Sequence, residues 1–147
     1  MLNVLVLHGP NLNLLGTREP DVYGTDTLAD IDSQLTALAE ELKITIRIKQ
    51  SNSEEVLIES LHSSREWANG VLFNPGAFTH TSVALRDAIA AIDIPVVEVH
   101  LSNIYAREEF RHHSVISPAT LGQVAGLGWL GYILALESLC NHLGEGS

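Results

Sequence analysis

Three short segments of the chain are almost entirely apolar, which is typical of strands that are covered on both faces of a sheet. They lie at residues 4–7, 71–73 and 96–99. Residues 43–49 instead alternate isoleucine with polar or charged residues, and this period of two predicts a strand with one solvated face at the edge of the sheet. A weaker apolar pair predicts a short fifth strand around residues 115–116.

The intervals between these strands carry helical periodicity. Leucine and isoleucine recur every three or four residues over 28–42, which predicts a helix with one apolar stripe. Further helices are predicted over 57–68, preceded by a Ser-x-x-Glu capping box at 51–54, over 85–92, and from about 122 to 139. Strands alternating with helices predict a parallel sheet with helices on both faces. With the second strand at an edge, we predict a flavodoxin-like, doubly wound α/β fold of five parallel strands in the order 2-1-3-4-5.

Composition narrows the class of protein. The chain has 147 residues, and its 8 basic and 18 acidic residues give a net charge of −10, which disfavours nucleic acid and anionic membranes as partners. The one cysteine, Cys140, predicts neither a disulfide framework nor a thiolate metal cluster. The first residues do not resemble a secretory signal, and the longest run without charged residues, Asn, Gln or His, 124–136, is shorter than the roughly 20 residues of a membrane span. We expect a single cytoplasmic domain over 1–147.

Polar residues concentrate in the loops that follow three of the predicted strands. Ligands of doubly wound sheets bind beyond the carboxyl ends of the strands, so these loops are the candidate site. The first loop runs over 17 residues from 8 to 24, where about two to six residues are common. Together with the loops at 74–80 and 100–113, it contains five of the seven histidines and three of the six arginines.

Several familiar motifs do not fit this chain. Residues 126–131 match G-x-G-x-x-G, but the pattern lies in an apolar helical run instead of after a first strand, so we interpret it as close packing of a glycine-rich helix, at a subunit contact. No G-x-S-x-G is present, and the only lysines, Lys43 and Lys49, lie on the exposed edge strand. Glu98 and His100 share one side of a strand, and we interpret them as a carboxylate orienting a histidine, not as metal ligands. We predict no metal and no cofactor.

Acid–base chemistry without a covalent intermediate is the remaining interpretation. Its candidates lie at three strand ends: Arg18, Tyr23, His80, Glu98 and His100. Taken singly, each could be an ordinary loop or core residue, and only their clustering favours a catalytic role.

The motifs taken together resemble type II 3-dehydroquinate dehydratases over essentially the whole chain. The matching stretches are residues 7–16, Arg18-x-Pro20-x-x-Tyr23-Gly24, residues 50–52, 74–80 and 98–103, and Arg107-x-x-x-Arg111. The resemblance implies a flavodoxin-like subunit that converts 3-dehydroquinate to 3-dehydroshikimate by anti elimination of water through an enolate, in the shikimate pathway. It also implies a homo-oligomer, a dodecamer built from trimers.

The resemblance assigns roles to individual residues. Tyr23 is the base, Arg18 stabilises the ionised form of that base, and Asn11 helps to hold a water at the enolate oxygen. His100 is the general acid, oriented by Glu98. The residues implied to bind the substrate are Asn74, His80, Asp87 from a neighbouring subunit, Leu101, Ser102, Arg107 and Arg111.

Two alternatives remain open at this stage. A flavodoxin-like module that binds FMN or a nucleotide without catalysis would need a phosphate cradle in the first loop, where this chain instead has Pro10, Asn11 and Asn13. A non-catalytic scaffold would not need the polar loop residues.

Overall fold

The computed structural model describes residues 1–17 and 19–145; Arg18 and residues 146–147 lie outside the described part. Five parallel strands form one sheet in the order β2-β1-β3-β4-β5, which confirms the predicted fold class and strand order. The strands are β1 (Asn3–His8), β2 (Thr45–Gln50), β3 (Gly70–Asn74), β4 (Val96–His100) and β5 (Gly122–Ala125).

In the described part of the chain, five α-helices connect or follow these strands. They are α1 (Pro20–Tyr23), α2 (Leu28–Leu42), α3 (Glu54–Ser64), α4 (Val83–Ile92) and α5 (Leu130–Glu145). Short 3-10 turns occupy the loops at Leu12–Leu14, Gly76–His80, Ile104–Ala106, Glu109–Arg111 and Ser117–Ala119. Among the described residues, no helix is both long enough and apolar enough to cross a membrane.

The helices cover both faces of the sheet. Helices α2 and α5 pack on one face against residues such as Val4 and Val6 of β1, while α3 and α4 pack on the other face against Leu5 and Leu7. This division follows from the alternation of side chains along a strand. β2 pairs only with β1 and is partly exposed, as its alternating sequence predicts for an edge strand.

The caps of two helices explain where they begin. Thr27 and Asp30 form a reciprocal capping box at the start of α2. Ser53 caps α3 by accepting a hydrogen bond from the backbone N–H of Val56, so the predicted box at residues 51–54 is wrong. The helix ends at Ser64, and Ala68, which we expected on its face, lies in the following turn.

The end of the chain differs most from the prediction. The fifth strand is Gly122–Ala125 and not residues 115–116, and the last helix begins only at Leu130. Ile116 is fully buried in a loop that packs on the α3/α4 core, so its apolar character reflects core packing. Strand β5 is short, lies at the other edge of the sheet and runs into an apolar turn, which hides the boundary between strand and helix.

Candidate active site

The loops that follow β1, β3 and β4 enclose a pocket at the carboxyl edge of the sheet. Parallel strands end at the same edge, so residues far apart in the sequence meet there. The residues singled out from the sequence that line this pocket are Asn11, Tyr23, Asn74, His80, His100, Leu101, Ser102, Arg107 and Arg111.

The loops after β1 and β3 contact each other through their backbones. The Gly9 N–H donates to the carbonyl oxygen of Asn74 at 2.7 Å. A Cβ atom at Gly9 would lie 2.6 Å from both the carbonyl carbon and the oxygen of Pro75, so this position has no room for a side chain. The contact holds the two sides of the pocket at a fixed separation.

Asn11 is positioned by the loop that follows β2. Its backbone is left-handed, with φ 68°, and its N–H donates to Asn52 Oδ1 at 3.0 Å. Gln50 Nε2 donates to the same Asn52 oxygen and to the carbonyl oxygen of Gly9, both at 3.1 Å. Residues 50–52 therefore support the first loop from outside the pocket.

Tyr23 contacts an arginine from the loop after β4. Arg107 Nη1 donates to Tyr23 Oη at 2.9 Å and lies 3.4 Å from Ser102 Oγ. The guanidinium carbon of Arg107 is 5.1 Å from the centre of the Tyr23 ring. A cation therefore lies beside the phenolic oxygen, where it stabilises negative charge.

His100 is backed by a buried carboxylate. It is the last residue of β4, and its Nε2 lies 2.5 Å from Glu98 Oε2. Glu98 is fully buried, while His100 lines the pocket. Because Nε2 donates to Glu98, Nδ1 is the ring nitrogen that can exchange a proton with a ligand.

Five of the described side chains direct hydrogen-bond donors at Glu98. They are His100, Thr79, Ser114, Ser117 and Gln123. Burial by itself would raise the pKa of Glu98, but the hydrogen bond and charge of His100 and the hydroxyls of Thr79 and Ser117 outweigh it and lower this pKa to about 2. Glu98 is therefore an anion that fixes one nitrogen of His100 as a donor.

Two further pocket residues are held by neighbours in the loops. His80 Nδ1 donates to the carbonyl oxygen of His113 at 2.9 Å. Partial burial, with smaller contributions from His100 and Arg111, lowers the pKa of His80, against the raising effect of this hydrogen bond. Arg111 Nε pairs with Glu108 Oε2 at 2.5 Å.

Asn74 is supported by Tyr132, which the sequence did not indicate, and through Tyr132 by His8. Its Nδ2 donates to Tyr132 Oη at 3.0 Å, and Tyr132 also lies 3.0 Å from His8 Nδ1. Tyr132 is fully buried, and this burial raises the pKa of its hydroxyl, which keeps it a phenol. We counted His8 among the polar loop residues, but it ends β1 inside the core and does not line the pocket.

Two predicted residues lie outside the pocket lining, and a third falls outside the described residues. Glu98 sits behind His100 and not in the pocket lining. Asp87 is exposed on α4 and does not line the pocket of its own chain. Arg18 lies outside the described residues.

Only Leu130 and Gly131 of the G-x-G-x-x-G pattern lie in α5, so the prediction that the whole pattern lies inside a helix is wrong. Gly126 and Gly128 have φ values of 89° and 62° and form the turn between β5 and α5. Non-glycine residues rarely adopt such angles, which is why the helical pattern breaks there. Over the described ranges, no group of three or more His, Cys, Asp or Glu residues is placed to hold a metal ion.

The fold and the site define a doubly wound α/β protein with a tyrosine–arginine pair and a carboxylate-backed histidine in one pocket. Residues 2–140 match the family described as Dehydroquinase class II. The 3-dehydroquinate dehydratase of Trichodesmium erythraeum is 57% identical over 143 residues, which is 97% of this chain and 95% of that protein. The chain belongs to the class II dehydroquinase family, as the sequence motifs predicted.

Solved structures of the family superimpose closely. The type II dehydroquinase from Butyrivibrio crossotus gives a TM-score of 0.93 at 40% identity, covering 95% of this chain and 97% of its own. That from Propionibacterium acnes gives 0.92 at 44% identity, covering 96% and 97%. These relatives do not favour the alternative of a non-catalytic nucleotide or FMN module.

Proposed function

We propose that this chain is a 3-dehydroquinate dehydratase that forms 3-dehydroshikimate by anti elimination of water through an enolate. Membership of the family supports the reaction, and the geometry of the pocket supports the assignment of its two proton transfers. The observation that carries the mechanism is that Tyr23, held by a cation, and His100, held by a buried anion, line one pocket. A base and an acid of opposite electrostatic environment are what an elimination needs.

The first step is removal of a proton from the carbon beside the ketone. Tyr23, as its phenolate, takes this proton, and the electron pair moves to the ketone oxygen to form the enolate. Arg107 stabilises the phenolate through the hydrogen bond at 2.9 Å. The resemblance adds Arg18 to this charge and assigns Asn11 to a water at the enolate oxygen.

The second step is loss of the hydroxyl group. The enolate electrons form the new carbon–carbon double bond, the carbon–oxygen bond breaks, and His100 Nδ1 gives its proton so that water leaves. Glu98 holds the opposite nitrogen and stabilises the imidazolium that precedes this transfer. Return of a proton from Tyr23 to His100 through solvent completes the cycle.

The remaining pocket residues bind the substrate in this proposal. Arg111, Asn74, His80 and the backbone at Leu101 and Ser102 surround the space next to the two proton-transfer groups. The substrate is an anion, and the pocket collects arginines although the chain carries a net charge of −10. The overall charge describes the outer surface, while the pocket is locally positive.

Ultraviolet absorbance tests the reaction, because the product contains a conjugated enone and the substrate does not. We expect purified protein to raise this absorbance on addition of 3-dehydroquinate. Tyr23→Phe should abolish turnover while substrate binding persists, and Tyr105→Phe, an exposed tyrosine outside the pocket lining, is the matched control. Absence of product with the wild-type protein would refute the proposed reaction.

Hydrogen exchange separates the two steps. His100→Ala should stop formation of the enone, while exchange of deuterium at the carbon beside the ketone continues through Tyr23. If both processes stop in His100→Ala, while in Tyr23→Phe only enone formation stops and exchange continues, the roles of the two residues are reversed.

We also propose that the protein works in the cytoplasm as a homo-oligomer, a dodecamer of trimers, with Asp87 completing the pocket of a neighbouring subunit. The exposed position of Asp87 away from its own pocket supports this assignment. Co-expression of an Asp87→Ala chain with a Tyr23→Phe chain should restore activity, because some pockets then combine both intact residues. Light scattering should give the mass of twelve subunits. Two inactive chains that stay inactive together would contradict the role in trans.

A further inference from the structure

A network of hydrogen bonds that the proposed reaction does not use connects Asn74 to Asp32 on α2. Asn74 Nδ2 lies 3.0 Å from Tyr132 Oη, and Tyr132 Oη lies 3.0 Å from His8 Nδ1. His8 Nε2 lies 2.8 Å from Asp32 Oδ1. His8 and Tyr132 are fully buried, and Asp32 is partly exposed on α2.

The orientation of the Asn74 amide follows from its other neighbour. The backbone N–H of Gly76 lies 3.0 Å from Asn74 Oδ1. A backbone N–H can only donate, so the atom that faces it must be the carbonyl oxygen. The NH₂ group therefore faces Tyr132, which accepts a hydrogen bond from it.

The positions of the remaining protons follow in turn. The Asp32 carboxylate can only accept, so His8 carries a proton on Nε2. Tyr132 already accepts from Asn74, so its single O–H proton points to His8 Nδ1, which accepts it. The side-chain donors and acceptors that join Asp32, His8, Tyr132 and Asn74 then all match, in agreement with the lack of unsatisfied buried side-chain atoms among the described residues.

We propose that Asp32, His8 and Tyr132 are positioning residues that hold the Asn74 amide in one orientation in the pocket. The Asp32 carboxylate selects the His8 tautomer that is protonated on Nε2. Because Nδ1 of this tautomer accepts the Tyr132 O–H proton, Tyr132 Oη acts as an acceptor toward Asn74. The Asn74 amide then presents fixed donor and acceptor atoms to the ligand. This inference rests on the proposed function, in which Asn74 binds the substrate. Fully satisfied buried networks of this kind specify one arrangement. A flipped Asn74 amide would direct its NH₂ group at the backbone N–H of Gly76, so that two donors would face each other.

A double-mutant cycle tests the coupling between Tyr132 and Asn74. Tyr132→Phe should lower kcat/KM about tenfold, the value of one hydrogen bond that positions a ligand contact. Asn74→Ala should lower it by at least as much, and Tyr132→Phe should have no further effect on kcat/KM in the Asn74→Ala background. The control is Leu139→Val, a buried change on α5 outside this hydrogen-bond network. Its small effect on kcat/KM should be equal in both backgrounds.

If Tyr132→Phe lowers kcat/KM by the same factor in the wild-type and Asn74→Ala backgrounds, the proposal is overturned, since Tyr132 would then act only through general stability.

Substitutions at His8 give a second test, in which a conservative variant should retain activity. His8→Asn keeps an acceptor at the same number of bonds from the backbone as Nδ1 and should stay within about threefold of wild-type activity, whereas His8→Leu should match Tyr132→Phe. Equal losses in His8→Asn and His8→Leu would also count against the proposal.

Nitrogen-15 NMR of the histidine ring gives a readout that needs no activity. In the wild-type protein we expect His8 Nε2 protonated and Nδ1 unprotonated, and we expect Asp32→Asn to abolish this preference. A proton on Nδ1 in the wild type would overturn the proposal even if the enzyme is active. If the wild type has no dehydratase activity, the proposed function fails, and the NMR result still decides whether His8 has the tautomer that this proposal requires.

Discussion

Arg107 Nη1 donates a hydrogen bond to Tyr23 Oη at 2.9 Å, and the two residues come from loops that follow β4 and β1. The same arginine nitrogen lies 3.4 Å from Ser102 Oγ. One guanidinium therefore links the base proposed for the first step to the segment proposed to bind the substrate. This position gives Arg107 a role in charge stabilisation in addition to the substrate contact that the resemblance implies.

Replacement of Arg107 should affect catalysis more than binding. We expect Arg107→Ala to lower kcat about 100-fold, the usual cost of removing a donor that stabilises charge in an active site. Arg107→Lys keeps the charge but not the planar geometry and should recover part of the loss. Steady-state kinetics measure both, with the exposed Arg65→Ala as control. A rise in KM at unchanged kcat would assign Arg107 to substrate binding alone.

Strand patterns predicted most of the fold, and the rule that ligands bind at the carboxyl edge predicted where the polar loops meet. The exception was β5, whose Gly122 and Gln123 carry little strand signal and whose apolar residues continue into the turn before α5. Only the backbone angles of Gly126 and Gly128 reveal that boundary.

The burial of His8 could have been predicted from the alternation of side chains along β1. On β1 His8 follows Val4 and Val6 on the face that packs against α2 and α5, so its side chain points into the core. Tyr132 carried no such signal, because its ring satisfies the apolar pattern of α5 and its hydroxyl is visible only once the partners are placed. The pairing of Tyr23 with Arg107 likewise depends on loop conformation, which periodicity does not encode.

Gln50 should influence activity from outside the pocket. Its side-chain amide donates hydrogen bonds to Asn52 Oδ1 and to the Gly9 carbonyl oxygen. Asn52 Oδ1 in turn accepts a hydrogen bond from the backbone N–H of Asn11. We expect Gln50→Met to lower kcat/KM about fivefold to tenfold with little change in Tm, since the lost hydrogen bonds are partly exposed. Lys49→Met, on the exposed side of the same strand, is the matched control. Wild-type kinetics in Gln50→Met would show that Asn11 needs no such support.

Gly9 should tolerate no larger residue. A Cβ there would lie 2.6 Å from the backbone of Pro75, which cannot move without displacing Asn74. We expect Gly9→Ala to destabilise the protein by about 1–3 kcal/mol, as other overpacked sites do, and to lower activity as well. Thermal unfolding and kinetics measure the two effects. Gly144→Ala, where a Cβ would meet nothing within 4 Å, should be neutral or slightly stabilising.

The buried carboxylate of Glu98 should make stability depend on pH. Its pKa is lowered from 4.5 to about 2 in the folded protein, so its contribution is complete above about 4.5 and is lost as the pH falls toward 2. A tenfold change in an acid dissociation constant is worth about 1.4 kcal/mol, which puts this contribution at about 3 kcal/mol.

Glu98→Gln tests this prediction because the two side chains have nearly the same shape. The amide would direct its own donors at the hydroxyls of Thr79, Ser114 and Ser117, and it would no longer stabilise a charged His100. We expect the variant to be less stable at pH 7 by about 3 kcal/mol and the gap to the wild type to narrow between pH 4.5 and pH 2. Guanidinium unfolding at pH 7, 4 and 3, at one protein concentration, measures the gap. Glu137→Gln, an exposed change on α5, is the control and should have the stability of the wild type at every pH. If the difference in stability between Glu98→Gln and the wild type stays constant down to pH 3, the pKa of Glu98 is not lowered in the folded protein.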